Sequence, residues 1–260
     1  HSHTAILARS LRVAAVTGVD DATGRIRDGD FLILDGDAGK VIVRPDEALL
    51  EQYRERQREA AERERLLARL ADVACVTQDG CRVTMLANIE RPEEAEDAMH
   101  VGAEGIGLFR SEFLFLNRCL LPDEEEQYRA YRQVLETLQG RPVTIRTIDV
   151  GADKILPAQA LIPGATSALG RRAIRYSLAE PEMFLVQLRA LLRASVHGNL
   201  QILLPMLTQP HEVDEAMLLL AQARQELASR GEPVAEHIPV GGMIEVPAAA
   251  LSAGIFASKL

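Results

Sequence analysis

Arginines and carboxylates recur just after apolar, strand-like text in this sequence. Arg110 and Glu112 close GIGLFRSE, Arg146, Asp149 and Lys154 stand in TIRTIDVGADK, and Glu245 stands in GGMIEVPAAA. The segment Leu169 to Arg175, LGRRAIR, adds Arg171, Arg172 and Arg175 at a helix start. Guanidinium forks bind phosphate and carboxylate in bidentate fashion, and carboxylate oxygens suit magnesium. Taken singly, each charge reads as a solvated loop residue or a structural ion pair. Gathered on one rim, they point to a small, multiply anionic ligand held together with a divalent cation.

His3 carries a different chemistry. A lone histidine beside a terminus is usually surface decoration, and His1 could even be a tag remnant. His3, however, immediately precedes Thr4 and the apolar, helically spaced TAILARSL. A helix amino terminus offers free N–H groups and a positive dipole end to a phosphate carried on the ring. Neutral imidazole is also a nucleophile at pH 7. His100, His197, His211 and His237 have no mutual ligand spacing and read as structural or surface residues.

The elements that must position these groups follow from periodicity. Phe31 to Leu34 and Val41 to Val43 read as short strands separated by the turn signal Asp35-Gly36-Asp37. Glu47 to Arg69 lacks any breaker and is rich in charge pairs four residues apart, the pattern of an exposed connecting helix. Beyond Leu70, strand and helix text alternate. Strands are expected at Thr84 to Ile89, Gly105 to Phe109, Val143 to Ile148, Gln201 to Met206 and Val240 to Ile244. Helices are expected at Glu93 to Val101, Glu124 to Leu138, Pro181 to Ala194 and Glu212 to Ala228. Such alternation implies an α/β fold with a parallel sheet, often a (β/α) barrel, whose chemistry sits at the carboxyl ends of the strands. Three parts result: 1–45, a small α/β unit; 46–70, a linker helix; and 71–260, the strand and helix alternation.

The bulk numbers exclude other classes. With 47% hydrophobic and 26% charged residues in 260, the chain has the composition of a globular protein. A net charge of −9 argues against sequence-independent binding of nucleic acid, which needs a basic face. Cys75, Cys81 and Cys119 form neither a disulfide framework nor a CxxC spacing, and read as reduced thiols in a cytoplasmic protein. No apolar run approaches the roughly 20 residues that span a bilayer. The first residue is not methionine, so the text leaves targeting open.

These segments together resemble enzyme I of the bacterial phosphoenolpyruvate:sugar phosphotransferase system, or the equivalent part of a multiphosphoryl transfer protein. Ser2-His3-Thr4-Ala5-Ile6 with Ala8-Arg9 is similar to the phosphohistidine signature. Asp28-Gly29-Asp30 through Asp35-Gly36 and Gly39 is similar to the end of the swivelling phosphohistidine domain. EGIGLFRSEFLFL from Glu104 to Leu116, RTIDVGADK from Arg146 to Lys154 and IEVPAAA from Ile244 to Ala250 are long and specific. The fold implied is the end of that swivelling domain, a linker helix, and the first five strands of a (β/α)8 TIM-type barrel that binds phosphoenolpyruvate.

The resemblance implies that His3 accepts the phosphoryl group through Nε2. It implies that Arg110 and Arg146 hold the phosphate of phosphoenolpyruvate, that Arg172 joins the same anion cluster, and that Glu245 is a ligand of Mg2+. Asp149 and Lys154 carry over as rim residues that order the arginines. It further implies onward transfer to a histidine phosphocarrier protein, a homodimer when full length, and a domain that swings in over the barrel. The family's usual Asn-Pro before its Leu-Gly-aromatic-Arg stretch is replaced here by Thr166-Ser167-Ala168-Leu169-Gly170-Arg171-Arg172, which leaves the loop around Arg172 open. The text ends after five of the expected eight strands. A second magnesium carboxylate, a further arginine and a cysteine proton donor are expected on the later strands, and a carrier-docking helical domain is expected before His3. Pyruvate phosphate dikinase or phosphoenolpyruvate synthase is the nearest alternative, and a catalytically silent regulatory protein on the same fold is an alternative of another class.

Overall fold

The computed structural model describes residue 8 and residues 13–116, 118, 120–150 and 170–260. His3, Lys154, Cys119, Thr166 to Leu169 and all of the helical text Thr4 to Leu11 except Ala8 lie outside the described residues. The chain divides into two compact units, residues 1–69 and residues 70–260.

In the first unit, helix α1 (Ala22–Arg25) precedes strands β1 (Leu32–Asp35) and β2 (Lys40–Val43). The strands form an antiparallel hairpin with Leu32 opposite Val43 and Asp35 opposite Lys40. Asp35 closes the turn because its Oδ1 accepts the Ala38 N–H at 2.9 Å, the local bond for which aspartate is favoured in turns. Helix α2 (Glu47–Ala68) starts at Asp46, whose Oδ1 accepts the Leu49 N–H at 2.8 Å. Tyr53 on α2 donates its hydroxyl to Asp35 Oδ2 at 2.9 Å. No residue of α2 is buried, as its charge-dense text with no apolar stripe requires.

The second unit is built on a parallel sheet of five strands: β3 (Ala87–Ile89), β4 (Ile106–Arg110), β5 (Pro142–Arg146), β6 (Asn199–Leu204) and β7 (Val240–Gly242). The strands lie in chain order without reversal. Right-handed crossovers in one direction place the connecting helices on one face. Those helices are α3 (Glu94–His100), α4 (Glu124–Thr137), α5 (Ile174–Ala179), α6 (Pro181–Ala194) and α7 (Pro210–Ser229), and α8 (Pro247–Leu251) and α9 (Ala253–Ala257) follow β7. Side chains alternate across β5 and β6. Val143, Ile145, Leu200, Ile202 and Leu204 are buried, whereas Thr144, Arg146, Gln201 and Leu203 are half-buried. Phe109, Tyr131 and Phe184 are fully buried in the core, with Tyr131 edge-on to Phe109 at 6.3 Å.

The first strand is shorter than the text Thr84 to Ile89 suggests. Met85 pairs its carbonyl with the Glu104 N–H at 2.8 Å and its N–H with the Glu104 carboxylate at 3.1 Å. A loop residue therefore takes the place of a strand partner there. Helix α3 stops at Gly102, whose φ of 84° is the left-handed conformation that favours glycine. A Cβ there would lie 1.9 Å from the Ala71 carbonyl oxygen. Helix α7 begins at Pro210, before the expected Glu212, because proline at the first helical position sacrifices no bonded N–H. Among the described residues no helix is long and apolar enough to cross a membrane.

An ion-pair cluster joins α4, α6 and α7. Glu124 accepts from Arg189 Nε at 2.7 Å, from Arg193 Nη1 at 3.0 Å and from Arg230 Nη1 at 3.3 Å. Arg189 also reaches Glu226 at 2.7 Å. Burial pushes the Glu124 carboxyl up, but its hydrogen bonds to the arginines, Arg189 foremost, outweigh this and hold it below its ordinary 4.5. A lowered folded value means that this stabilisation is fully present above about 4.5 and is lost as the pH falls through the folded value. Glu124→Gln is expected to destabilise the fold by about 3 kcal/mol, since breaking a mostly buried pair strands the partner charges. The check is a lower urea midpoint at pH 7 with unchanged slope, the difference shrinking on acidification.

Candidate functional site

The site forms where β4, β5 and β7 end. Arg110 and Arg146 are the last residues of their strands and are register partners across the sheet. Past Arg110 the chain turns into a 3-10 segment, Ser111–Leu114, so β5 stops at Arg146 and the chain that follows it has no neighbouring strand on that side. Side chains then supply what the strand no longer can. Ser111 Oγ donates to the Arg146 carbonyl at 2.8 Å, and Glu112 Oε1 accepts the Asp149 N–H at 3.0 Å. On the other side, Thr147 N–H reaches the Leu203 carbonyl at 3.0 Å.

Asp149 is the hub. Its Oδ2 lies 3.0 Å from Arg146 Nη1, and its Oδ1 accepts from Arg172 Nε at 2.9 Å. Arg146 Nη2 donates to Glu112 Oε1 at 2.9 Å. The side chains of Arg146, Glu112 and Asp149 retain 12%, 12% and 7% of their exposure, so these bonds are screened little by water. Arg172 is more open, and the Asp149 carboxylate holds its guanidinium above the ordinary value, with burial opposing and Glu245 and Glu112 assisting. Arg110 is half-exposed and donates to Glu90 Oε1 at 2.5 Å, from the loop after β3. Glu245, exposed three residues beyond β7, accepts the Met206 N–H at 2.8 Å. Arg175 donates to the Met206 carbonyl at 3.2 Å.

Arg110, Arg146, Asp149, Arg172 and Glu245 therefore share one rim, while His3 and Lys154 lie outside the described residues. Two buried atoms of the cluster, Glu112 Oε2 and Arg146 Nε, have no hydrogen-bond partner among the described residues. Leaving such atoms unpaired costs free energy, and a polar ligand or water removes that cost. The arrangement can hold a small anion bearing several oxygens. Among the described residues no group of three or more His, Cys, Asp or Glu side chains gathers as a metal cage.

Glu90 and the double role of Glu112 were not readable from strand ends alone. Glu90 directly follows β3 at a bend that periodicity does not report, and its pairing with Arg110 depends on adjacent strands ending level. Asp149 is visible in the sequence, but its position between two arginines is a property of the turn and not of the spacing.

The model of the PEP-binding domain of PEP-utilising enzymes matches residues 64–260, and that of the mobile domain of the same enzymes matches residues 1–39. A phosphoenolpyruvate-protein phosphotransferase of Cupriavidus necator is 51% identical over 262 residues, covering all of this chain and 45% of the relative. Proteins of the same description from Geobacillus stearothermophilus and Bacillus subtilis are 45% and 41% identical over 259 residues, again covering all of the chain and 45% of each relative. The chain thus spans about half the length of the curated relatives it matches.

Proposed function

The chain belongs to the PEP-utilising enzymes, and from that premise we propose that it is part of a phosphoenolpyruvate-protein phosphotransferase that moves the phosphoryl group of phosphoenolpyruvate onto His3. The observation that carries this reading is the rim itself. Arg110, Arg146 and Arg172 stand together, and the last two are ordered by a single carboxylate, Asp149. Residues 1–45 are then the end of the phosphohistidine domain, 46–70 the linker helix, and 71–260 the first five strands of a TIM-type barrel, a reading that the unreversed strand order supports.

In this mechanism the arginines take the phosphate oxygens and offset the charge that spreads over them, so the protein contributes positioning and electrostatics. The imidazole Nε2 of His3 attacks phosphorus in line. The P–N bond forms, the bond from phosphorus to the enol oxygen breaks, and the enolate of pyruvate leaves and is protonated. The phosphohistidine then passes its phosphoryl group to a histidine phosphocarrier protein, the first step of phosphotransferase-linked sugar uptake in the cytoplasm. The complete protein acts as a homodimer. This reading also gives Lys154 the role of ordering the arginines.

Glu245 fits a Mg2+ ligand, because Mg2+ keeps several waters and takes only one or two carboxylates beside substrate oxygens. The cation supplies further charge neutralisation at the phosphate. Glu245→Gln in the complete gene product is expected to raise the Mg2+ concentration for half-maximal turnover by about tenfold or more, in line with loss of one charged ligand. A magnesium titration that superimposes on that of the unmodified protein would make Glu245 a rim residue only.

The reading as a whole is tested by incubating the complete gene product with Mg2+ and radiolabelled phosphoenolpyruvate. The expected result is acid-labile, base-stable protein phosphate, formed together with an equal amount of pyruvate. Intact phosphoenolpyruvate and unlabelled protein after prolonged incubation would overturn it.

A further inference from the structure

Gln187 belongs to none of the elements that carry the rim, yet it touches the backbone on which the rim depends. It lies in the middle of α6, inside the apolar run MFLVQLRALL, and is 1% exposed. A buried amide is tolerated only when its donors and acceptor are matched. Gln187 matches all three. Its Oε1 accepts the Ile148 N–H at 3.1 Å, and its Nε2 donates to Ser111 Oγ at 3.2 Å and to the Tyr131 hydroxyl at 3.0 Å. Ser111 and Tyr131 are fully buried, and burial pushes the Tyr131 hydroxyl up, so it stays neutral and donates a hydrogen bond to Gln127 Oε1 at 3.2 Å.

Ser111 Oγ in turn holds the Arg146 carbonyl at 2.8 Å. Gln187 therefore fixes, directly or through one hydroxyl, the backbone on both sides of Thr147. That stretch carries Arg146 at one end and Asp149 at the other, and the same serine precedes Glu112. All three charged groups of the buried cluster hang from backbone that this one amide ties to α6. We infer that Gln187 is a positioning residue for the anion site: through Ile148 and Ser111 it sets the separation and orientation of Arg146, Asp149 and Glu112. This rests on the reading that the rim binds phosphoenolpyruvate.

A merely structural role would predict loss of stability alone, so the test pairs Gln187→Met, which keeps the shape but removes the three hydrogen bonds, with Leu191→Ala on the same helix. Leu191 is fully buried on the same helix, and its side chain can neither donate nor accept a hydrogen bond. Three quantities are measured on the complete gene product: urea stability, phosphoenolpyruvate affinity by calorimetry with Mg2+ present, and hydrogen exchange at the amides of residues 147–149. Gln187→Met is expected to weaken phosphoenolpyruvate by roughly 10- to 100-fold, the range for removing an outer hydrogen-bond partner of a site. It should also speed exchange at Ile148 and Asp149 before global unfolding. Leu191→Ala is expected to lose stability while keeping affinity and the local exchange pattern.

Ser111→Ala, which removes one methyl-sized hydroxyl and folds more readily, should weaken affinity in the same direction. Combined with Gln187→Met it should add less than its single effect, because the two act on one carbonyl. Unchanged affinity in Ser111→Ala and Gln187→Met, or a loss in Leu191→Ala as large as theirs, would overturn the inference. If the unmodified protein fails to bind phosphoenolpyruvate, the functional reading falls instead. The exchange measurement needs no ligand and still decides whether Gln187 orders the stretch.

Discussion

Replacing His3 by alanine is expected to abolish labelling of the complete gene product by phosphoenolpyruvate while leaving its fold and its affinity for phosphoenolpyruvate intact. The reasoning is chemical. A phosphoryl group needs an acceptor with a lone pair available at neutral pH, and neutral imidazole has one without an auxiliary base. Removing a nucleophile that acts as a covalent carrier eliminates the step, so label should fall by at least about a thousandfold, to background. Affinity should survive because Arg110, Arg146, Asp149 and Arg172 all stand in residues 70–260, where Asp149 pairs with Arg146 and Arg172 and Glu90 pairs with Arg110. Histidine is polar, and its replacement by alanine is expected to change stability little. The measurement is acid-labile, base-stable phosphate after incubation with radiolabelled phosphoenolpyruvate, beside calorimetric binding of the same variant. Label on the variant at the unmodified level would move the acceptor elsewhere. His197 would then be a poor substitute, since its ring already meets the Tyr128 hydroxyl at 2.9 Å.

Much of the fold is legible in the text because the physics that forms it is local. Charge pairs without an apolar stripe make α2, a Pro-led apolar run makes α6, and short runs with alternating apolar residues make β5 and β6. Alternation of these periods leaves a parallel sheet as the only arrangement that buries every apolar face. The errors fall where a non-local bond decides. Thr84 to Leu86 have strand text, but Glu104 captures the backbone of Met85 and the ladder starts at Ala87. Val143 to Ile148 read as one strand, but β5 stops at Arg146 because β4 has already turned away at Ser111.

The same distinction runs through the site. Strand ends can be located from periodicity, and arginines at strand ends are conspicuous, so Arg110 and Arg146 are visible in the sequence. Their partners are not. That Asp149 spans Arg146 and Arg172, or that Glu112 bonds both a guanidinium and a backbone N–H, depends on the shape of the turns after β4 and β5. Gln187 shows the limit most clearly. A single glutamine inside an apolar helix is a visible irregularity, but only the folded structure reveals that its amide reaches Ile148 and Ser111, just past the ends of β5 and β4.

Arg146→Ala is expected to weaken phosphoenolpyruvate by roughly 10- to 150-fold, because hydrogen bonds to a charged group contribute about 1.5–3 kcal/mol and each 1.4 kcal/mol is a factor of ten. The side chain is only 12% exposed and shares its fork between Glu112 and Asp149, so its position is set before the ligand arrives. The same substitution should lower stability by up to about 3 kcal/mol, less than the largest losses for a broken buried pair. The reason is that neither carboxylate is abandoned: Asp149 keeps Arg172 at 2.9 Å and Glu112 keeps the Asp149 N–H at 3.0 Å. Arg146→Lys separates the two effects. An ammonium restores the charge and so most of the stability, but it lacks the planar fork that meets two oxygens at once, and affinity should recover only in part. Arg129→Ala is the control, since that arginine is 73% exposed and pairs with Glu125 one turn away, a contact worth no more than about 1 kcal/mol. Calorimetric titration of the four proteins at fixed Mg2+ reads out all of this. Equal affinities for Arg146→Ala and Arg129→Ala would mean that the strand-end arginine does not meet the anion. A full recovery by Arg146→Lys would mean that charge alone, and not the fork held by Glu112 and Asp149, is what the ligand recognises.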